Sequence, residues 1–194
     1  SIKNSKSKSI LVITVIYVLA AALGVAVYMA LPFLFWIRLL IADVAATIFV
    51  FVFSVIFKNA SVYDPYWSVQ PIVIIAGYAL TSNITPATLL LIISIVYWGI
   101  RLTGNWAYVF GGLNHQDWRY TMLKEKSGPA YPLINFLGIH LFPTLVVYLC
   151  ILPAVEAIRF GAELKAASIP FLVLAFLSPV FQGLADIQMH TFRK

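Results

Sequence analysis

The chain has 194 residues, of which 62% are hydrophobic and only 10% are charged. Soluble domains carry about a quarter charged residues, so this composition excludes an ordinary soluble domain. Its apolar residues lie in runs long enough to cross a bilayer as helices, because about 20 helical residues span the hydrocarbon.

Six apolar runs predict an all-α integral membrane protein, a single domain over residues 1–194 built as a bundle of about six transmembrane helices. The first run follows three lysines but is too long for a signal-peptide core, so we expect a retained helix. The third run is the shortest. Thr85 and then Pro86 predict the start of the fourth helix, as a capping hydroxyl followed by a proline at the first helical position. The predicted spans are residues 10–30, 34–57, 69–80, 86–103, 132–154 and 167–189.

The basic residues predict an orientation. With six spans and an inner start, the inner segments hold ten of the 13 lysines and arginines and the outer side holds three. The positive-inside rule therefore predicts that both termini are cytoplasmic. We expect the bacterial inner membrane rather than the endoplasmic reticulum. The expected partners are membrane lipids, whose anionic head groups suit the basic face, and a lipophilic small molecule, but no nucleic acid.

Three polar clusters interrupt the apolar pattern, all at predicted cytoplasmic helix ends. The first includes Tyr63, Asp64 and Tyr66. An interfacial belt of aromatic residues would explain it without any chemistry. A carboxylate beside a phenol, however, can polarise the phenol into a better hydrogen-bond donor. These three residues are therefore candidates for stabilising charge that develops on a substrate carbonyl.

The second cluster places Trp98, Arg101 and Asn105 on one helix face, because they lie three and four residues apart. An arginine at a helix end can simply snorkel to the head groups, whereas the asparagine on the same face favours a polar site. Asp117 and Arg119, further along, fit a salt-bridged amphipathic loop.

The third cluster is a polar stripe at helical spacing on the last helix, and an ionisable residue this close to hydrocarbon suggests a functional site. A helix that leaves the membrane would become polar in any case. The stripe consists of Gln182, Asp186, His190 and Arg193.

Two further polar residues lie deeper in the predicted spans. We expect His140 to be a satisfied packing residue rather than a metal ligand, because no cysteine or carboxylate lies near it at metal-binding spacing. Asp43 is expected to reach another helix or a water-filled cavity. No metal site is predicted.

At these clusters the sequence resembles the steroid 5-alpha-reductase-like membrane proteins, especially their bacterial branch. The resemblance covers most of the chain from Ser61 onward, and Asn135 through Pro143 is similar to the fifth-helix pattern of that family. The shared motifs are Asp64-Pro65-Tyr66-Trp67-Ser68, Arg101 through Asn105-Trp106, Asp117-Trp118-Arg119-Tyr120 and Ala185-Asp186-Ile187-Gln188-Met189-His190 with Phe192-Arg193-Lys194.

The resemblance implies an oxidoreductase that uses NADPH to reduce a carbon–carbon double bond conjugated to a ketone in a lipophilic substrate. An acid and a tyrosine from other helices would hold the substrate carbonyl, and we map that role to Asp64 with Tyr63 or Tyr66. Gln182 stands where the family usually has asparagine. The residues assigned to the cofactor are Arg101, Asn105, Gln182, Asp186 and Arg193.

The resembling family continues with a Ser-Arg-His-Pro-Asn-Tyr-Phe-Gly-Glu block that supplies much of its nucleotide site. We therefore expect that this polypeptide alone does not bind NADPH tightly. Two other functions stay open. One is a membrane methyltransferase that uses S-adenosylmethionine on a lipid or prenylated group. The other is a transporter or scaffold without catalytic activity, although transporters usually place their sites at mid-depth.

Overall fold

The computed structural model describes residues 2–192, and over this range the chain is helical with no β-strand. The predicted all-α fold is thus confirmed. The helices, in chain order, are α1 (Lys6–Ala30), α2 (Phe35–Phe57), α3 (Tyr66–Ala79), α4 (Pro86–Val109), α5 (Trp118–Ser127), α6 (Tyr131–Ile134), α7 (Phe142–Arg159) and α8 (Ile169–Phe192).

Five helical stretches are long and apolar enough to cross a membrane, which makes this a multi-pass membrane protein. They comprise α1, α2, α4, the stretch that ends with α7, and the stretch that ends with α8. The remaining predicted span corresponds to α3, which has 14 residues. A helix of that length rises only about 21 Å, less than the hydrocarbon thickness of about 30 Å.

The observed boundaries extend several predicted spans. Helix α3 begins at Tyr66 rather than at residue 69, and α4 continues to Val109 rather than ending at residue 103. Helix α4 begins at Pro86 as predicted, and the Thr85 hydroxyl accepts a hydrogen bond from the Thr88 amide. The longer α4 keeps Arg101 and Asn105 inside one regular helix.

The chain divides into two compact units. The first unit consists of residues 1–67 and 109–150. Within it α1 packs along α2, and buried apolar side chains from both helices form its core, including Ile13, Ile16, Leu39 and Val50. The second unit consists of residues 68–108 and 151–194 and buries Ile75, Val155 and Ile158. The single-domain assignment stays a prediction.

A π-helical segment, Asn135–Leu141, joins α6 to α7 without a break. Its wider turns place each amide over the carbonyl five residues earlier, and the Phe142 amide bonds the Leu137 carbonyl in this way. The next residue, Pro143, has no amide hydrogen to donate, so it cannot restore the α-helical pattern at this point. Segments of this kind often occur at functional sites.

Candidate functional site

The connection between α2 and α3 holds the first polar cluster in place. Helix α2 ends at Phe57 and is capped by Lys58, whose positive φ of 56° turns the chain. The Asn59 side-chain oxygen then caps a short turn by accepting from the Ser61 amide at 2.9 Å, and its nitrogen donates to the carbonyls of Leu113 and His115. These bonds tie the connection to the segment before α5. Tyr63 is thereby buried beside the first turn of α3.

Tyr66, the first residue of α3, is paired with a carboxylate from another helix. Its hydroxyl donates to the Asp43 Oδ1 of α2 at 3.2 Å. Only 6% of Tyr66 and 4% of Asp43 are exposed, so the pair lies away from solvent. The ring of Tyr17 packs edge-on against the Tyr66 ring with centroids 5.5 Å apart. The prediction that Asp43 reaches another helix is confirmed by this bond.

Tyr63 lies in the same buried region but uses a different partner. Its hydroxyl is 2.7 Å from the Thr144 Oγ1 of α7, which in turn lies 3.0 Å from the Thr47 Oγ1 of α2. The Tyr63 ring contacts the Tyr66 ring at 5.4 Å between centroids and the His140 ring at 4.7 Å. Burial raises the pKa of Tyr63, so the phenol is neutral and can donate its hydrogen.

His140 is completely buried in the π-helical segment. Its Nδ1 lies 3.0 Å from the Asn135 carbonyl, which can only accept, so Nδ1 carries the hydrogen. Its Nε2 has no hydrogen-bond partner within residues 2–192. His140 is therefore a packing residue, as expected, and its Nδ1 is satisfied. Its Nε2 remains an unused acceptor among the described residues.

Asp64 does not pair with the tyrosines on either side of it. Its Oδ1 accepts instead from the Tyr120 hydroxyl of α5 at 2.6 Å. Burial raises the pKa of Asp64 to about 6, even though hydrogen bonds from Tyr120 and Ser61 lower it. The three residues predicted to act together thus point to separate partners, because successive residues of a tight turn project in different directions. Their catalytic assignment stays a prediction.

The segment that contains Tyr120, the partner of Asp64, also contains the predicted salt bridge between Asp117 and Arg119. Arg119 forms two hydrogen bonds with the Asp117 carboxylate, at 2.8 and 2.9 Å, at the start of α5. The Asp117 amide donates to the Ser61 hydroxyl at 3.0 Å, and the Gln116 side chain accepts from the Ala60 amide at 3.0 Å. These two hydrogen bonds hold the connection between α2 and α3 in place.

In the second unit, the polar faces of α4 and α8 meet. Arg101 Nη1 donates to Asp186 Oδ2 at 2.6 Å, and His190 Nε2 lies 2.9 Å from Asn105 Oδ1. Each helix contributes residues four apart, so the two pairs lie one above the other. The helical spacing in the sequence predicted both polar faces. Gln182 is exposed on α8, and Arg193 lies outside the described residues.

Arg101 has donors beyond its bond to Asp186. Its Nε and Nη2 atoms are buried and have no hydrogen-bond partner between Ile2 and Phe192. A guanidinium presents five N–H donors in a planar fork that matches phosphate and carboxylate oxygens. A half-buried arginine with two buried, unused donor atoms therefore suits an anionic ligand, because such donors are costly to leave unsatisfied.

Sequence reasoning missed Thr47, Thr144 and Tyr120 as members of polar networks. Thr47 and Thr144 are single hydroxyls within apolar runs and gave no signal of their own. Tyr120 belongs to a motif that was noted, yet its partner Asp64 lies 56 residues away in sequence. Contacts of that kind are set by helix packing and not by local spacing.

Comparison with known proteins gives one match. The profile of a family described as "Protein of unknown function (DUF1295)" matches residues 50–194. No curated protein and no solved structure matches the chain. The matched range is well over half of the sequence and includes Tyr66, Arg101 and Asp186. The chain therefore belongs to the DUF1295 family, which is related to the steroid 5-alpha-reductase-like proteins.

Proposed function

We propose that the protein is a membrane-embedded reductase of steroid 5-alpha-reductase type, which uses NADPH to reduce the double bond of an enone in a lipophilic substrate. The observation that carries this proposal is the hydrogen bond between Tyr66 and Asp43 at 3.2 Å, in a buried polar network. It joins a tyrosine and an acid from different helices, as the resemblance implies for the group that holds the substrate carbonyl. Asp43 thus takes the role that we first gave to Asp64.

The chemistry of this pair follows from where charge develops. Adding a hydride to the β carbon of an enone moves an electron pair onto the carbonyl oxygen, and a proton from solvent then completes the α carbon. A donor aimed at that oxygen stabilises the charge, and it does so more strongly in a dry site than in water. The single hydrogen of Tyr66 points to Asp43 in the structure. Tyr66 supplies the donor to the carbonyl when a protonated Asp43 donates to the Tyr66 oxygen instead and so orients it. NADPH, when bound, supplies the hydride.

The α4–α8 cluster fits the phosphate-rich part of such a cofactor. Arg101 would hold an anionic oxygen through Nε and Nη2 while Asp186 keeps its Nη1 in place. Asn105 and His190 would line the same face one helical turn further on. A guanidinium held by a carboxylate loses less freedom when it binds a phosphate, so Asp186 acts by preparing Arg101.

Cofactor binding can be tested without any turnover. Thermal unfolding of the protein in lipid nanodiscs is recorded over a range of NADPH or S-adenosylmethionine concentrations that extends high enough to fill a weak site. We expect NADPH to raise the unfolding temperature and S-adenosylmethionine to leave it unchanged. Arg101→Gln should weaken NADPH binding by roughly 10- to 100-fold, the cost of a lost charged hydrogen bond.

Arg159→Gln is the matched control. Arg159 also lies near a carboxylate, Glu156 at 3.5 Å, but outside the α4–α8 cluster. It should bind NADPH like the wild type. Stabilisation by S-adenosylmethionine alone would favour a methyltransferase, and stabilisation by neither compound would favour a transporter or scaffold. Either result would overturn the proposed reductase.

A further inference from the structure

Three hydroxyl groups form a continuous chain in the first unit. The chain runs from Tyr63 to Thr144 at 2.7 Å and from Thr144 to Thr47 at 3.0 Å. All three residues are buried, with exposed fractions of 0% or 1%. No solvent is therefore needed to explain where their hydrogens point.

The hydrogen positions follow from counting at Thr144. A threonine hydroxyl has one hydrogen and two acceptor lone pairs. Thr144 Oγ1 also lies 2.9 Å from the His140 carbonyl, which can only accept, so the Thr144 hydrogen points there. The two lone pairs of Thr144 are left for its other neighbours. Both Tyr63 and Thr47 must then donate to Thr144.

The hydrogens of Tyr63 and Thr47 are therefore both committed to Thr144. Tyr66 lies outside this chain and donates to ionised Asp43. When a protonated Asp43 donates to the Tyr66 oxygen instead, the Tyr66 hydrogen is free for another acceptor. Tyr66 is thus the tyrosine whose hydrogen can be redirected.

We propose that Thr144 is a positioning residue that commits the hydroxyl hydrogen of Tyr63 to the protein and leaves Tyr66 as the phenol that can donate to a bound carbonyl. The catalytic consequence rests on the proposed reductase function, but the hydrogen positions do not. Tyr66 thus takes the donor role, and Tyr63 takes a supporting role. Thr144 acts through them and touches no substrate.

Two substitutions distinguish the hydroxyl of Thr144 from its shape. If Thr144 served only to fill space, the isosteric Thr144→Val would be milder than the smaller Thr144→Ser. If Thr144 sets hydrogen positions, Thr144→Ser should behave like the wild type, because it keeps the donor and both lone pairs. Thr144→Val should then disturb Tyr63.

The test is carbon-13 NMR of the full chain in nanodiscs with tyrosine labelled at the ring carbon that bears the hydroxyl. The Tyr63 and Tyr66 signals are assigned with Tyr63→Phe and Tyr66→Phe. We expect Thr144→Val to move the Tyr63 signal and Thr144→Ser to return it to the wild-type position. Asp43→Asn should move the Tyr66 signal and leave the Tyr63 signal in place.

Thr47→Val provides a second variant in case Thr144→Val does not fold. It should leave the Tyr63 signal in place, because the bond from Tyr63 to Thr144 remains. A Tyr63 signal that is unchanged in Thr144→Val, or that moves in Asp43→Asn or Thr47→Val, would overturn the inference. These spectra are recorded without substrate or cofactor, so their outcome is independent of whether the protein reduces enones.

Discussion

Asp64 lies in the connection between α2 and α3, where burial opposes its ionisation. The Tyr120 hydroxyl donates to it at 2.6 Å, but this bond only partly offsets the burial. Its pKa is raised from an ordinary value of 3.8 to about 6. The folded protein therefore holds a proton on Asp64 more tightly than the unfolded chain does.

The sign of the pH dependence follows. The contribution of Asp64 to stability is fully present below about pH 4 and is lost as the pH rises through about 6. Asp64→Asn keeps an oxygen that can accept from Tyr120 and carries no charge. We expect it to raise the free energy of unfolding at pH 8 by up to about 3 kcal/mol, since each pKa unit is worth about 1.4 kcal/mol.

Thermal unfolding of both proteins between pH 4 and pH 8 measures this effect. The stability of the wild type should fall more steeply than that of Asp64→Asn over this range. Glu163→Gln, which changes an exposed carboxylate, is the control and should follow the wild type. Parallel curves for the wild type and Asp64→Asn would show that burial does not raise the pKa of Asp64.

At the level of the helices, α3 and α4 approach closely at Gly99. A methyl group at this position would lie 2.6 Å from the Ser68 carbonyl oxygen and 2.7 Å from Ile72 Cδ1. The backbone oxygen cannot move away without shifting α3. The glycine is thus required by the contact between the two helices and not by its own backbone conformation.

Gly99→Ala should therefore lower the stability of the protein by about 1–3 kcal/mol, the usual cost of overpacking. Gly104 lies on the same helix, and a methyl group there would meet nothing within 4 Å. Gly104→Ala should be neutral or stabilising by up to about 1 kcal/mol, because alanine is the better helix former. The unfolding temperatures of Gly99→Ala and Gly104→Ala, each compared with that of the wild type, measure this difference. Equal effects would mean that α3 and α4 are not in contact at Gly99.

The helices were predictable from the sequence because long apolar runs in a membrane have few alternatives to helix. The polar faces of α4 and α8 were predictable as well, since residues four apart share a face. The partner of Tyr66 was not predictable. Asp64 is two residues away in sequence, yet Asp43, 23 residues away, accepts its hydrogen bond. Which helices bring their polar residues together depends on packing that no local pattern encodes.

At the scale of the whole molecule, the orientation in the membrane stays a prediction from the basic residues. The stretch from α6 to α7 lies between exposed Lys124 and exposed Lys165, so these residues should face opposite sides. Single cysteines placed there in a Cys150→Ala background can be labelled with an impermeant maleimide on intact cells. We expect labelling of Lys165→Cys, and labelling of Lys124→Cys only after permeabilisation. The reverse pattern would place the termini outside.

In the proposed reaction Tyr66, oriented by Asp43, stabilises the carbonyl oxygen of an enone during reduction. This role is measured by the enone-dependent oxidation of NADPH at saturating concentration by the purified protein in liposomes, with the product identified by mass. We expect a saturated ketone product and a kcat that falls about 100-fold or more in Tyr66→Phe, as for other lost oxyanion donors. Enone reduction that proceeds equally fast in Tyr66→Phe, or no enone-dependent oxidation in the wild type, would contradict it.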